Sequence, residues 1–212
     1  KKKAMACIRA FGEGDLSASL EKFPGKKAFI NENIELLRSN VLALIHEMQH
    51  MSSEHEKGDI DVMIDVDRFS GSYRDIGQGI NQMVSGHISV KKKAMACIRA
   101  FGEGNLSAPL EQFPGKKAFI NENIEQLRAN ILALVEDTSQ ISDSALIGKL
   151  DTRPDAARHQ GDFRRIILGI NGSLDAIIVP ITEAMDVLSA MSNGDLTRTI
   201  NGDYQGKFLE LK

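Results

Sequence analysis

The feature that most constrains this chain is an internal repeat of 90 residues. Residues 1–44 recur at 91–134 with six substitutions, and a looser similarity continues from Arg68 to Arg158 and from Ala100 to Ala190. Within each period, a glycine followed two positions later by an apolar residue recurs at alternating intervals of 44 and 46 residues. These glycines are Gly14, Gly58, Gly104, Gly148 and Gly194. Two related structural units therefore alternate along the chain.

Each unit is predicted to consist of a helix, a connector and a second helix. The apolar residues before the third glycine run from Val90 to Phe101 at spacings of four, three and four, which indicates a helix with one buried seam. After the glycine, about fifteen residues rich in proline and glycine predict a non-helical connector. The heptad pattern resumes at Ile120 and continues without a break towards Gly148. We therefore expect adjacent units to share one continuous helix.

A unit with one apolar stripe on each helix cannot bury both stripes alone. An extended connector of this length can return along a helix, at roughly 3.3 Å per residue, so the two helices of a unit can lie parallel. We predict an all-α fold in which two chains form parallel four-helix coiled-coil bundles, joined end to end into a rod. The residues predicted to line the dimer seam are Ala94, Cys97, Phe101, Ile124, Leu127, Ile131, Leu134, Ile141, Ile170 and Leu174.

The glycine at the start of each connector suits a helix end that needs a positive φ. The apolar residue two positions later is predicted to hold the connector against the bundle. In four of the five units a second apolar residue follows four positions further on, whereas Pro154 occupies that position in the fourth unit. The predicted connector anchors are Leu16, Leu20, Ile60, Ile64, Leu106, Leu110, Leu150, Leu196 and Ile200.

Taken together, these features resemble an array of HAMP domains, the relay modules of bacterial chemoreceptors and sensor histidine kinases. The resemblance rests on the Gly-Asp-Leu triplet, the paired connector anchors, the heptads of both helices and Pro180 near the start of the last unit. Residues 159–196 are similar to tandem HAMP segments of methyl-accepting chemotaxis proteins. One departure is that Gly71-Ser72-Tyr73 and Gly161-Asp162-Phe163 replace the acidic element that opens the second helix in many family members.

The resemblance implies five units, at 1–41, 42–87, 88–131, 132–177 and 178–212, with the first and last expected to be truncated parts of a longer receptor. It also implies signal relay between an upstream sensor and a downstream output module through bundles that hold two packings. The implied partner is a second copy of the chain, in the cytoplasm, with a chemotaxis kinase and coupling adaptor contacted only through other segments. The alternatives are a poly-HAMP segment of a histidine kinase and a passive coiled-coil spacer.

Composition excludes several other classes of function. The formal net charge of −3 gives no electrostatic reason to expect binding to nucleic acid or to an anionic membrane. No run of about 18 uncharged apolar residues is present, so we expect no membrane insertion of this segment. Cys7 and Cys97 are too few for a disulfide framework. We interpret them as small buried hydrophobic residues, with a redox pair across the dimer as the alternative.

One motif suggests catalysis, but its surroundings do not support that function. Residues 46–50 read His-Glu-Met-Gln-His, the pattern of zinc proteases. Both histidines lie off the apolar stripe, and the corresponding copy at 136–140 lacks the motif. We therefore interpret the segment as a surface helix, with adventitious metal binding as the alternative, and expect no enzyme activity and no cofactor. His87 and His159 have no chemically matched neighbours in sequence and are expected to be isolated.

Overall fold

The computed structural model describes the backbone of residues 2–211 and the side chains of residues 5–210, and all regular secondary structure in that part of the chain is helical. The α-helices are α1 (Lys2–Gly12), α2 (Ala28–Glu56), α3 (Gly71–Gly102), α4 (Ala118–Leu146), α5 (Gly161–Ser192) and α6 (Lys207–Leu211). Between them lie connector 1 (13–27), connector 2 (57–70), connector 3 (103–117), connector 4 (147–160) and connector 5 (193–206). We number each unit by its connector. The all-α prediction is confirmed.

Helices α2, α3, α4 and α5 each run from the end of one connector to the start of the next. The heptad pattern that resumes at Ile120 predicts an unbroken helix towards Gly148, and α4 indeed extends from Ala118 to Leu146. Each of these helices is therefore the second helix of one unit and the first helix of the following unit. The chain divides into two compact bodies, one up to Met95 and one from Ala96 onwards. Connectors 1 and 2 belong to the first body, and connectors 3, 4 and 5 belong to the second.

The same hydrogen-bonding motif ends every helix that precedes a connector. At the end of α3, the N–H of Gly104 donates to the carbonyl of Phe101 (3.0 Å), and that of Asn105 donates to the carbonyl of Ala100 (2.8 Å). This pair of bonds is a Schellman motif, which needs a residue with positive φ after the helix end. The φ angles of the five predicted turn glycines are 93° at Gly14, 99° at Gly58, 87° at Gly104, 77° at Gly148 and 86° at Gly194.

Apolar residues of the connectors fill the space between the two helices of a unit. In unit 1, Cys7 of α1 and Ile34 of α2 are buried against Phe11, Leu20 and Phe23. In unit 2, the buried cluster consists of Leu44, Met51, Ile64 and Phe69. In both units the core therefore combines residues of the helices with residues of the connector.

Helix α5 is long and apolar enough to cross a membrane, by length and composition only. This is weak evidence for a membrane span, because the core helix of a helical bundle has the same length and composition. The helix also carries polar side chains that bind connectors. Asp175 pairs with Arg153 (2.7 Å), and Glu183 accepts the N–H of Asn201 (2.6 Å).

Candidate functional site: the connectors and their ties to the helices

In units 1 and 3, an asparagine of the second helix forms two hydrogen bonds with the connector backbone. The Oδ1 of Asn121 accepts the N–H of Phe113 (2.9 Å), and its Nδ2 donates to the carbonyl of Glu111 (2.7 Å). Asn31 forms the same pair of bonds with Phe23 and Glu21, both at 2.9 Å. A single side-chain amide thus satisfies one donor and one acceptor of a backbone that lies outside any regular helix.

An arginine reaches back from the same helices to the start of the connector. The guanidinium of Arg128 donates to the carbonyls of Leu106 and Ala108 (2.7 Å to the latter) and lies 4.7 Å from the centre of the Phe101 ring. Its Nη2 is 3.7 Å from the sulfur of Cys97. This arginine therefore ties the first helix, the connector and the second helix of unit 3 together.

The equivalent Arg38 makes longer contacts in unit 1. Its Nη1 lies 3.4 Å from the carbonyl oxygen of Leu16 and 3.3 Å from that of Ala18, and its guanidinium is 5.9 Å from the Phe11 ring. The nearly identical sequences of units 1 and 3 thus make the same contacts at different distances.

Units 2 and 4 use an asparagine at a different point of the connector. Asn81 accepts the N–H of Ile64 (3.0 Å) and donates to the carbonyl of the same residue (2.8 Å). In unit 4, Asn171 donates to the carbonyl of Pro154 (3.0 Å), but proline has no N–H to return the bond. The Oδ1 of Asn171 is consequently buried without a hydrogen-bond partner. The sequence departure at Pro154 thus removes half of this tie.

A buried carboxylate lies on the first helix of each of these two units. Glu47 of α2 is 9% exposed and pairs with Arg68 of connector 2. Asp137 of α4, one period later, is 1% exposed and accepts from Arg158 (3.0 Å) and from Nε2 of His159 (2.5 Å). The expectation that His159 is isolated was wrong, because its partner lies 22 residues away in sequence. The repetition of an acidic residue one period apart on an apolar helix is the signal that could have revealed these ties.

Unit 5 is held by a carboxylate at another position. Glu183 accepts the N–H groups of Asn201 (2.6 Å) and Gly202 (3.3 Å), and it also accepts the hydroxyl proton of Tyr204. That hydrogen bond to a carboxylate raises the pKa of the Tyr204 phenol. A Cβ at residue 202 would collide with the ring of Tyr204, so this ring packs directly on the glycine.

The middle residue of the Gly-x-apolar triplet stabilises the turn that starts the connector. Asp15 accepts both the N–H (2.9 Å) and the hydroxyl (2.6 Å) of Ser17, and the hydroxyl bond is the main reason why the pKa of Asp15 is lowered. Asp195 does the same with Thr197, with the same effect on its pKa. Asn105 makes the equivalent bonds in unit 3, so the acceptor can be a neutral amide oxygen as well as a carboxylate. Lys149 holds this position in unit 4 and supplies no acceptor, and the helix still ends in the same turn.

The residues predicted for the dimer seam fall into two groups. Ala94, Cys97, Phe101 and Ile124 are buried within the protomer. Leu127 is exposed, and the half-buried residues are Ile131, Leu134, Ile141, Ile170 and Leu174. Only this second group retains surface for a partner chain, and its contact with one stays a prediction.

The predicted connector anchors also differ in burial. Ile64 is buried, and the half-buried anchors are Leu16, Leu20, Leu106, Leu110 and Ile200. Ile60 and Leu150 are exposed, and Leu196 is 75% exposed. Phe113 of unit 3, the equivalent of Phe23, is buried although it was not predicted as an anchor. The anchors were predicted two and six residues after each glycine. Phe113 lies nine residues after Gly104, outside that pattern.

The two cysteines and the zinc-protease-like motif have specific local surroundings. Each thiol is free and buried: that of Cys7 lies 3.7 Å from the carbonyl oxygen of Ala18, and that of Cys97 lies 4.0 Å from the carbonyl oxygen of Ala108. Among residues 46–50 the histidines are exposed, whereas Glu47 is occupied by its ion pair. Within the described residues, no three His, Cys, Asp or Glu side chains are grouped so that they could hold a metal ion.

Comparison with protein families gives matches along most of the chain. The model of HAMP N-terminal domain 3 matches residues 1–42 and again residues 90–132. The model described as the second HAMP domain of methyl-accepting chemotaxis protein McpB matches residues 39–86, and a general HAMP domain model matches residues 158–212. The two matches to the first model lie one 90-residue period apart, in successive copies of the repeat.

The chain is also similar to methyl-accepting chemotaxis protein McpB of Pseudomonas aeruginosa. The two sequences are 38% identical over 92 residues, which is 43% of this chain. The matched region is 14% of the length of that relative. The similarity therefore covers a small segment of a much longer protein.

Proposed function

The chain belongs to the HAMP family as a tandem array of HAMP domains, and on this premise we propose that it relays conformational signals within a bacterial chemotaxis-type receptor. The observation that carries the proposal is the sharing of α2, α3, α4 and α5 between successive units. Because each of these helices is continuous, a rotation or tilt in one unit can pass to the next without crossing a loop. Transmission of this kind needs no catalytic group, so the proposal assigns the segment no enzyme activity.

We further propose that two chains associate in parallel. Large apolar side chains on α2 remain exposed in the protomer, among them Leu36, Leu42, Ile45 and Met48. A second copy would cover such side chains and complete a four-helix bundle from the two helices that each unit supplies. The proposed units span 1–41, 42–87, 88–131, 132–177 and 178–212.

We place the segment in the cytoplasm, although α5 is apolar. Lipid supplies no hydrogen-bond partners, so irregular backbone that faces lipid is excluded from the hydrocarbon core of a bilayer. Connector 4 lies against α5 and binds Asn171 and Asp175. These polar ties favour α5 as a helix of a water-soluble bundle.

Helix insertions in an intact receptor that contains this segment test the proposal. One residue inserted after Ala133 of α4 turns the following part of the helix by about 100°, whereas seven residues nearly preserve its facing direction. Relay predicts that the one-residue insertion changes the basal output of the receptor and that the seven-residue insertion changes it much less.

A passive spacer would respond differently, because it needs only the connection between its ends. Unchanged output after the one-residue insertion would contradict the relay proposal. Equal loss of output with both insertions would also contradict it, because helix phase would then not be the quantity transmitted. The abundance of both variants, measured in the same cells, controls for degradation.

A further inference from the structure

Units 2 and 4 are equivalent in the repeat, but their connectors are held differently. In unit 2, Asn81 of the second helix makes two bonds to Ile64, and Glu47 of the first helix pairs with Arg68. The residue after this arginine, Phe69, is buried in the apolar core of the unit. The end of connector 2 is thus tied to both helices of its unit.

Three differences occur together in unit 4. Pro154 stands where unit 2 has Ile64, Asp137 stands where it has Glu47, and His159 stands where it has Phe69. The first difference removes one bond to Asn171 of the second helix and leaves the Oδ1 of this residue without a partner. The other two differences give the carboxylate of Asp137 on the first helix a second hydrogen-bond partner, His159, beside Arg158.

The new contact is buried and uses the whole carboxylate. The side chains of His159 and Asp137 are 2% and 1% exposed, and Nε2 lies 2.5 Å from Oδ2. Arg158 occupies the other oxygen at 3.0 Å. An ionised carboxylate only accepts hydrogen bonds, so Nε2 carries the proton in this contact.

Two contacts hold connector 4 to the second helix, namely the bond from Asn171 to Pro154 and an exposed ion pair. Arg153 pairs with Asp175 of α5 at 2.7 Å, but Asp175 is largely exposed, and exposed ion pairs contribute little. In contrast, a hydrogen bond to a buried charge is strong, and its loss leaves that charge short of a partner. At the end of the connector, the buried carboxylate of the first helix therefore holds two donors in unit 4 and one in unit 2.

We propose that His159 is a positioning residue that fixes the end of connector 4 to α4 through Asp137. When α4 moves, the end of connector 4 moves with it, while Asn171 and Arg153 bond the connector to α5. The role of this tie in signalling rests on the proposed relay function. The tie itself requires only a folded unit, so the two can be tested separately.

Hydrogen exchange of backbone amides in the full chain tests the tie. The N–H of His159 donates to the carbonyl of Ala156 (3.3 Å), and the equivalent N–H of Phe69 donates to that of Val66 (3.2 Å), so both report on the end of their connector. His159→Phe is expected to lower the protection factor at residue 159 about tenfold, because Asp137 loses one of its two partners. Adding Asp137→Glu recreates the pair of unit 2 and is expected to restore most of the protection.

A milder variant and a control make the test decisive. His159→Gln keeps a side-chain N–H donor and is expected to lose less than about threefold in protection, which gives a result even where His159→Phe does not fold. Arg165→Gln breaks only the exposed pair with Asp162 (2.6 Å) and should leave residue 159 unchanged.

Unchanged protection in His159→Phe, or no recovery in the double variant, would overturn the proposal. The insertion experiment in the receptor does not depend on this result. If the one-residue insertion left receptor output unchanged while hydrogen exchange at residue 159 responded as expected, the relay proposal would be refuted. The proposed role of His159 in holding connector 4 to α4 would still be supported.

Discussion

Replacement of Asn81 by leucine is expected to loosen its connector far more than the same replacement of Asn171. Asn81 makes two hydrogen bonds with Ile64, at 3.0 and 2.8 Å, and Ile64 is buried. Asn81→Leu removes both bonds and leaves an N–H and a carbonyl without partners. Since each orphaned buried group costs about 1–3 kcal/mol, the expected loss of local stability is about 2–6 kcal/mol.

Asn171→Leu has two effects of opposite sign. It removes the bond to the carbonyl of Pro154 (3.0 Å), which costs about 1–2 kcal/mol, and it also removes the buried Oδ1 that has no partner. The second effect returns a similar amount, so the net change is near zero. The two variants should therefore differ by at least about 2 kcal/mol, which corresponds to a ratio of at least about thirty in exchange rate.

Amide hydrogen exchange measures this difference, with protection factors compared at the hydrogen-bonded amides of Asp67 and Phe69 in one variant and of Ala157 and His159 in the other. The two sites lie in the same chain and on equivalent helices, so each variant serves as the control for the other. Equal losses of protection at the two sites would refute the reasoning. A larger loss in Asn171→Leu would show that the buried Oδ1 has a partner in solution.

The connector turns and unit 5 provide three further tests. Because the pKa of Asp15 is lowered, its turn is stable above pH 3.8, the ordinary pKa of the group, and loosens as the pH falls through the lowered pKa. The equivalent turn at Asn105 has no carboxylate and should not respond. An acid titration of amide chemical shifts compares the two turns. Because the pKa of Tyr204 is raised, its hydrogen bond to Glu183 is present below pH 10.0, the ordinary pKa of a tyrosine, and is lost as the pH rises through the raised pKa. The phenolate absorbance of Tyr204 should therefore titrate at lower pH in the variant Glu183→Gln. Gly104→Ala should cost about 1–2 kcal/mol, because φ is 87° there, and a denaturation midpoint that does not fall would contradict this expectation. Gly102→Ala is the matched control, since its φ is not positive and a methyl group there meets no atom within 4 Å.

The features that sequence predicted best are those with a local cause. A heptad pattern that continues past Ile120 can form only a continuous helix, and α4 has the predicted extent. A glycine that ends a heptad run predicts a turn with positive φ, as the value at Gly104 shows. Both inferences depend on residues within one or two helical turns of each other.

The ties between connectors and helices could not be predicted in the same way. Asp137 and His159 are 22 residues apart, and their contact depends on where the connector lies along the helix. The heptad pattern fixes which face of a helix is apolar, but it does not fix this position. The effect of Pro154 on Asn171 also depends on their position in the fold. The proline is visible in the sequence as a departure from the repeat. That it leaves the Oδ1 of Asn171 without a hydrogen-bond partner is visible only in the structure, where the two residues are in contact.

The mass of the chain in solution, measured by light scattering over a wide range of concentration, tests the account most directly. We propose that each unit is half of a bundle, because side chains such as Leu42 and Ile45 are exposed on α2 while Cys97 and Phe101 are already buried within the protomer. This arrangement predicts the mass of two chains at every concentration at which the helices are formed. The mass of a single chain, with full helix content, would contradict it, because no partner would then cover the exposed apolar faces and the proposed relay would have no bundle to act through.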